Sequence, residues 1–299
     1  MQHVLTITCD PQAPALAEDH SRAMRDALAD NGATDIAPAW LSPARALDLT
    51  FRHLAPDNAT QAVQATLTGV PVDINVQLVT GRRKQLLIAD MDSTIITNES
   101  LDELADFIGI KDQVAPITAR AMSGEIDFDT ALRDRVRLLA GQPISLLDRL
   151  LEEHIHLTRG AETLVRTMRA NGAFTALVSG GFTFCARAVA AKVGFDTHRS
   201  NVLLTDGAVL TGAVGEPILG NEAKLKSLHE FCSTHGLAVG QTMAVGDGSN
   251  DIPMLLGAGT GVAFHAKPAV AAAARFTIDH GDLSALLYLQ GYRDTDFVV

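Results

Sequence analysis

At 299 residues, 47% of them apolar, the chain can bury a sizeable core and is long enough for two compact units, with room for an inserted third. Its formal charge of -11, with no basic cluster larger than Arg82-Arg83-Lys84, argues against nucleic acid or an anionic membrane as partner. Cys9, Cys185 and Cys232, far apart and odd in number, make neither a disulfide framework nor a zinc site; no run is long enough to span a membrane, and Asp10 interrupts any signal-peptide core, so a cytoplasmic location is expected.

In chain order, residues 3 to 9 read as a strand and 14 to 31 as a helix closed by Asn31-Gly32. A short strand over 36 to 40 is followed by one over 45 to 51, a short helix after Pro56-Asp57-Asn58, and a strand over 72 to 78 with clean period-two alternation. The order βαββαβ suits a small ferredoxin-like sandwich over residues 1 to 80. Thr80 to Lys84 reads as a linker. From residue 85 to 299, strand candidates at 86 to 90, 174 to 178, 242 to 246, 261 to 264 and 275 to 278 alternate with helical stretches, the α/β pattern of a doubly wound, mostly parallel sheet. Between the first two lie some 80 almost wholly helical residues, opening on Ser100 and Glu103 as a capping box, which predicts a helical cap inserted at about 98 to 165. A hairpin is expected near 202 to 214, turning at Asp206-Gly207.

Three of these strands end in polar clusters. The run Leu-Leu-Ile-Ala at 86 to 89 stops at Asp90 and Asp92, followed by Ser93 and Thr94. Ligands in open α/β sheets bind beyond such carboxyl ends, whereas a surface turn is the plainer reading of two aspartates. Ala176-Leu177-Val178 leads to Ser179-Gly180-Gly181-Phe182, which either opens a helix with its amides bare for phosphate or makes a plain turn. Thr242 to Val245 leads to Gly246-Asp247-Gly248-Ser249-Asn250-Asp251. Carboxylates gathered from two strand ends need a cation to stay charged together, and oxygen-only ligands around phosphate point to Mg²⁺. Lys224 falls in the first turn of a helix starting near Asn221, where the helix dipole disfavours a cation, so it either meets an anion or is simply solvated. In a cap helix starting near Asp127, Phe128, Ala131, Leu132, Val136 and Leu139 form the apolar stripe, and Arg135 falls inside it while Arg133 and Arg137 do not. An inward arginine needs an anionic partner, either a structural carboxylate or a substrate's.

Asp-x-Asp-x-Thr at 90 to 94, Ser179, Lys224 and Gly-Asp-x-x-Asn-Asp at 246 to 251 resemble, in order, the four motifs of the haloacid-dehalogenase superfamily of phosphotransferases. With Glu99, Leu-Arg-Asp-Arg-Val at 132 to 136, Val-Ser-Gly-Gly-Phe at 178 to 182 and Asn-Glu-Ala-Lys at 221 to 224, residues 85 to 290 look like the phosphoserine phosphatase family within it. Met91, where many members have Phe, is the one departure from the pattern, and it touches no catalytic position. The resemblance implies hydrolysis of O-phospho-L-serine, the last step of serine biosynthesis, through an aspartyl-phosphate. It implies Asp90 as nucleophile and Asp92 as acid and then base, with Mg²⁺ held by the Asp90 carboxylate, the Asp92 backbone carbonyl and Asp247. Ser179, the Gly180 amide and Lys224 would hold the phosphoryl oxygens, Glu99 and Arg135 the amino and carboxylate ends, and Asn250 the remaining substrate contacts. Asp251 would lie behind the direct ligands, and Met122 and Phe128 on the cap's substrate side. The first 80 residues resemble ACT-like domains, which bind amino acids or mediate dimer contacts; no residue there identifies a ligand, so the unit reads either as an amino-acid-binding domain or as a dimerisation or packing module, and a homodimer through it is one of the arrangements this leaves open.

The nearest alternative is a related phosphatase or phosphotransferase for another small phosphorylated metabolite, which would need neither Glu99 nor Arg135 for a zwitterion. A receiver-type signalling module is uncapped and lacks an acid two residues past its phosphorylated aspartate. An idle amino-acid sensor would have no use for the full set of chemical residues.

Overall fold

The computed structural model describes residues 1 to 122 and 125 to 299. The N-terminal unit has the expected βαββαβ order. Strands β1 (His3–Cys9), β2 (Thr34–Ser42), β3 (Ala46–Arg52) and β4 (Val72–Leu78) form an antiparallel sheet in the order β2-β3-β1-β4. Helices Glu18–Asp30 and Pro56–Thr66 cover one face. The first starts four residues later than the sequence pattern suggests, because residues 11 to 17 form a turn and an extended approach. Leu5, Ile7, Leu47 and Leu49 point into this layer against Met24, Leu28 and Val63.

The opposite face carries Thr6, Thr8, Asp48, Asp73, Asn75 and Gln77, and all six are buried. Period-two alternation predicts a polar face in water; instead it docks on the C-terminal part of the chain. Asn75 Nδ2 donates to Thr277 O (2.9 Å), and Thr277 N donates back to Asn75 Oδ1 (3.1 Å). Asp73 accepts the backbone N–H groups of Asp279 (2.7 Å), His280 (3.0 Å) and Gly281 (2.8 Å). Gln77 Nε2 donates to Leu289 O at 2.6 Å. The expected linker is packed down as well: Arg82 pairs with Asp48 at 2.6 Å, and Lys84 Nζ donates to Gly240 O at 2.8 Å. Polar groups leave water here only because each meets a backbone or charged partner.

The second sheet is wholly parallel. It comprises β5 (Leu86–Ala89), β6 (Phe174–Phe182), β7 (Thr197–Asn201), and, after a hairpin of β8 (Leu203–Asp206) and β9 (Val209–Val214), β10 (Thr242–Gly246), β11 (Thr260–Phe264) and β12 (Phe276–Ile278). The order β12-β11-β10-β5-β6-β7 reverses direction between β5 and β10, the switch point where a crevice opens beyond the strand ends. Strands β5, β10 and β11 are buried at every residue, as strands with both faces covered must be. The Asn75–Thr277 exchange caps the open edge of β12.

Helices Ser100–Phe107, Lys111–Met122, Phe128–Arg137 and Ser145–Glu153 lie between β5 and β6. A bridge between Ile96 and Leu157, flanked by Thr97 N to His156 O and Thr158 N to Ile95 O (both 2.9 Å), ties the two ends of this cap together as a neck. Two local expectations are corrected. No capping box forms at Ser100: the N-cap is Glu99, and the Ser100 hydroxyl has no partner among the described residues. Ser179 to Phe182 do not open a helix but finish strand β6, with the helix starting at Thr183.

Candidate active site

Asp90 follows β5 directly. Its backbone N–H donates to Val245 O (3.0 Å) and its Oδ1 accepts the Met91 N–H (2.8 Å), so β5 and β10 fix it between them. A wide helical turn over Met91–Ile95 then reverses the chain, with Ser93 in the left-handed region at φ 51°. Asp247 follows β10 and accepts Thr94 Oγ1 at 3.1 Å. Lys224, 1% exposed in the first turn of helix Asn221–His235, reaches Asp90 Oδ1 (2.8 Å) and Asp251 Oδ1 (2.6 Å); of the two readings of this lysine, the anion partner is the one realised. Asp251 Oδ2 accepts the Gly248 N–H at 3.0 Å.

Ligand oxygens of Asp90, Asp247 and Asp251 lie within 4.8 Å of one another. Three buried carboxylates against one lysine leave an excess of negative charge that a hard, oxygen-seeking cation fits. The strain shows in the proton affinities of Asp90 and Asp247. Burial, then Asp251, pushes the Asp90 carboxyl well above the ordinary range, with Lys224 opposing. Burial, then Asp251 and Glu99, brings Asp247 up to about 6. Burial alone would lower the Lys224 pKa, but its two aspartates outweigh that and hold it above the ordinary lysine value.

The Asp92 side chain turns elsewhere. Its Oδ1 accepts the Ser100 N–H (2.7 Å) and its Oδ2 accepts Ser179 Oγ (3.3 Å), while burial, then Glu99, raises its pKa to about 6. A group poised there can both give and take a proton near neutrality. The two glycines after Ser179 serve close approach: a Cβ on Gly181 would stand 2.8 Å from Asp92 Oδ2, and one on Gly180 3.2 Å from the Phe128 ring. Asn201, buried, accepts the Leu219 N–H (2.7 Å) and donates to Gly180 O (2.9 Å), tying the end of β6 to the segment that enters the Lys224 helix.

A cavity of about 130 Å³ opens over these groups, with Glu99, Phe128 and Arg135 lining its cap side and Asn250 its core side. Glu99 accepts Ser93 Oγ at 2.8 Å. Arg135 points inward as the stripe predicts, donates to Ala131 O in its own helix (3.2 Å), and among the described residues has no ion pair within 4.0 Å. Burial lowers its pKa, with Asp102, Glu99 and Asp92 acting against this at longer range. The Met122 side chain lies outside the described residues. The structure thus gathers Asp90, Asp92, Glu99, Arg135, Ser179, Gly180, Asp247 and Asn250 around one cavity, with Lys224 and Asp251 beneath it. Sequence reasoning missed Lys267, which lines the cavity and whose N–H donates to Asp247 O at 3.2 Å. The available signal was its place just past β11, another strand end at the same sheet edge.

Residues 87 to 256 match the family model of haloacid dehalogenase-like hydrolases. The chain belongs to that family. A phosphoserine phosphatase of Lactococcus lactis is 43% identical over 204 residues, covering 68% of this chain and 94% of the relative. Another from Streptomyces coelicolor is 40% identical over 237 residues, 79% of this chain; the chain spans only 57% of that relative's length. A haloacid dehalogenase family hydrolase of Salmonella enterica serovar Typhi has a solved structure that superposes with a TM-score of 0.84 at 27% identity, covering 96% of this chain and 98% of that one. That alignment extends over the N-terminal unit as well as the hydrolase core.

Proposed function

We propose that this hydrolase is a Mg²⁺-dependent phosphoserine phosphatase that releases serine and phosphate from O-phospho-L-serine. One observation carries the reading: Glu99 and Arg135, of opposite charge, line the same small cavity as Asp90 and Asp92. A zwitterionic amino acid needs both signs beside its phosphate; a sugar phosphate needs neither. The relatives named phosphoserine phosphatase support the same substrate.

In this reading an Asp90 oxygen attacks phosphorus while the bond to the serine oxygen breaks, and Asp92 protonates that oxygen as it leaves. Asp92, now a carboxylate, takes a proton from water as the water oxygen bonds to phosphorus and the aspartyl-phosphate is cleaved. Ser179, the Gly180 amide and Lys224 hold the phosphoryl oxygens, and Asn250 completes the substrate contacts. Asp90, Asp247 and the Asp92 backbone carbonyl would hold Mg²⁺, which when bound would supply charge neutralisation. Asp251 braces Lys224 from behind.

We take residues 1 to 80 and 85 to 299 as the two domains, with the cap at about 98 to 165. Any homodimer through the first domain would use its helical layer or strand edges, since its other face is covered. A cytoplasmic location agrees with three free, buried thiols, and among the described residues no helix is long and apolar enough to cross a membrane. The test is phosphate release with Mg²⁺ across phosphoserine, phosphothreonine, phosphoethanolamine and sugar phosphates. Phosphoserine is expected to lead in kcat/KM; a sugar phosphate preferred over it would replace this reading with the related-phosphatase alternative.

A further inference from the structure

Ser100 is the first residue of the cap's first helix, so its backbone N–H has no acceptor inside that helix. It donates across the junction to Asp92 Oδ1 at 2.7 Å. The core holds the other oxygen, Oδ2, through Ser179 Oγ at 3.3 Å, and Gly181, where a Cβ would stand 2.8 Å from that oxygen, lets it sit close against the end of β6. Asp92 is therefore gripped from two sides, by the cap at one oxygen and by the core at the other. Ser100 is 1% exposed and lines the cavity, and its hydroxyl has no hydrogen-bond partner among the described residues. A helix start whose side chain caps nothing, and whose amide is spent on a distant carboxylate, is arranged around that carboxylate rather than around the helix.

We propose that Ser100 is a positioning residue, whose amide, presented by the cap, holds Asp92 in the rotamer that delivers a proton to the leaving oxygen. An N–H can only donate, so Oδ1 stays the acceptor of the carboxyl group; a hydroxyl can turn, so Ser179 beside Oδ2 allows that oxygen to carry the proton. When the serine–phosphorus bond breaks, the proton moves from Oδ2 to the serine oxygen and Asp92 is left ionised, ready to take a proton from water. The acid is thus aimed jointly by the start of the first cap helix and the end of β6. The inference rests on the phosphatase reading, in which Asp92 is the acid and base.

The backbone allows a selective test. Proline is favoured at the first position of a helix, and Glu99, at φ -90° and ψ 110°, already has the extended conformation that a residue before proline requires. Ser100→Pro therefore removes the N–H while suiting the helix, whereas Ser100→Ala keeps the N–H and loses only the hydroxyl. On phosphoserine, Ser100→Pro is expected to lower kcat about 30- to 100-fold with KM within about threefold, and Ser100→Ala to keep a kcat about tenfold or more above it. The second measurement is hydrogen exchange at the Ser100 amide in the full chain. Because this amide has no helical partner, its protection reports Asp92, and about tenfold or more is expected to be lost in Asp92→Ala while Leu104 and Ala105 stay protected.

Equal losses in the alanine and proline variants, a raised KM with unchanged kcat, or a Ser100 amide that exchanges freely in the wild type would each overturn the proposal. Should Ser100→Pro fail to fold, the exchange measurement decides. A wild-type chain that ignores phosphoserine but cleaves another phosphate ester defeats the substrate reading alone; the kinetic comparison then runs on that ester, and the exchange result stands independently.

Discussion

Lys224 Nζ lies 2.8 Å from Asp90 Oδ1 with both groups shut off from solvent, a pairing that joins the first turn of one helix to the end of a central strand. Removing one partner of such a pair leaves an uncompensated buried charge, at a cost of about 3 to 5 kcal/mol. Lys224→Met is therefore expected to lower the melting temperature and to abolish turnover, since Asp90 beside Asp251 then favours the protonated, non-nucleophilic form. The melting loss is expected to shrink when Mg²⁺ is added. Thermal melts with and without Mg²⁺ check this, and identical wild-type and variant curves would show that the pair contributes nothing.

Asp90→Asn is expected to remove both turnover and the phosphoenzyme while leaving the fold intact, because an amide is a poor nucleophile. Trapping labelled phosphoenzyme after acid quench is the measurement. Substantial phosphoserine hydrolysis by a folded sample would take Asp90 out of this role.

In the proposed reading Arg135 and Glu99 select the ester. Arg135→Ala is expected to lose about a hundredfold or more in kcat/KM for phosphoserine, since a charge-assisted pair in a closed site contributes several kcal/mol, and little for phosphoethanolamine, which lacks the carboxylate. Glu99→Gln is expected to penalise amine-bearing esters more than others. Comparison within each variant cancels general losses of stability or cap closure. If Arg135→Ala depresses both esters equally, the carboxylate assignment falls.

The sign of a pH effect follows from Asp73. Burial, set against the amides of Asp279, Gly281 and His280, raises its pKa in the folded chain. A raised folded pKa makes the native state bind the proton more tightly, so the stabilisation is fully present below the unfolded pKa, near 4, and is lost as pH rises through the folded value. Asp73→Asn cannot titrate, and it replaces one acceptor oxygen with a donor facing an amide, costing about 1 to 3 kcal/mol. Its melting temperature is thus expected below that of wild type at neutral pH, with the gap widening as pH falls toward 4. A gap that narrows on acidification would contradict the assignment.

The chemical cluster was legible because a short apolar run makes the polar residue after it stand out: Asp90 and Asp247 stand just past the buried strands β5 and β10, and Ser179 follows Ala176-Leu177-Val178 within β6. Strand β7 was not legible, since Thr-His-Arg-Ser-Asn at the sheet edge carries no apolar signal. Nor was the bonding at Ser100. Ser100 and Glu103 match a capping motif by spacing, but the carboxylate that meets the helix start comes from Asp92, eight residues earlier, and only the fold brings it there. The docking of β4's polar face was not legible for a related reason: alternation records that one face is polar and says nothing about whether it meets water or another part of the chain.

That face has a consequence for inheritance. Asp73, Asn75 and Gln77 address main-chain atoms of residues 277 to 289 rather than side chains. Main-chain atoms are present whatever residue occupies a position, so the catalytic side of the junction is free to drift in sequence without breaking these bonds, while the three β4 side chains are not. Lineages of this enzyme can accordingly diverge on the two sides at different rates, and a graft of the first domain onto a divergent core of the same backbone path keeps these bonds if it brings its own Asp73, Asn75 and Gln77, while the side-chain pairs Ser42–Asp294 and Asp10–Arg159 have to be matched on both sides.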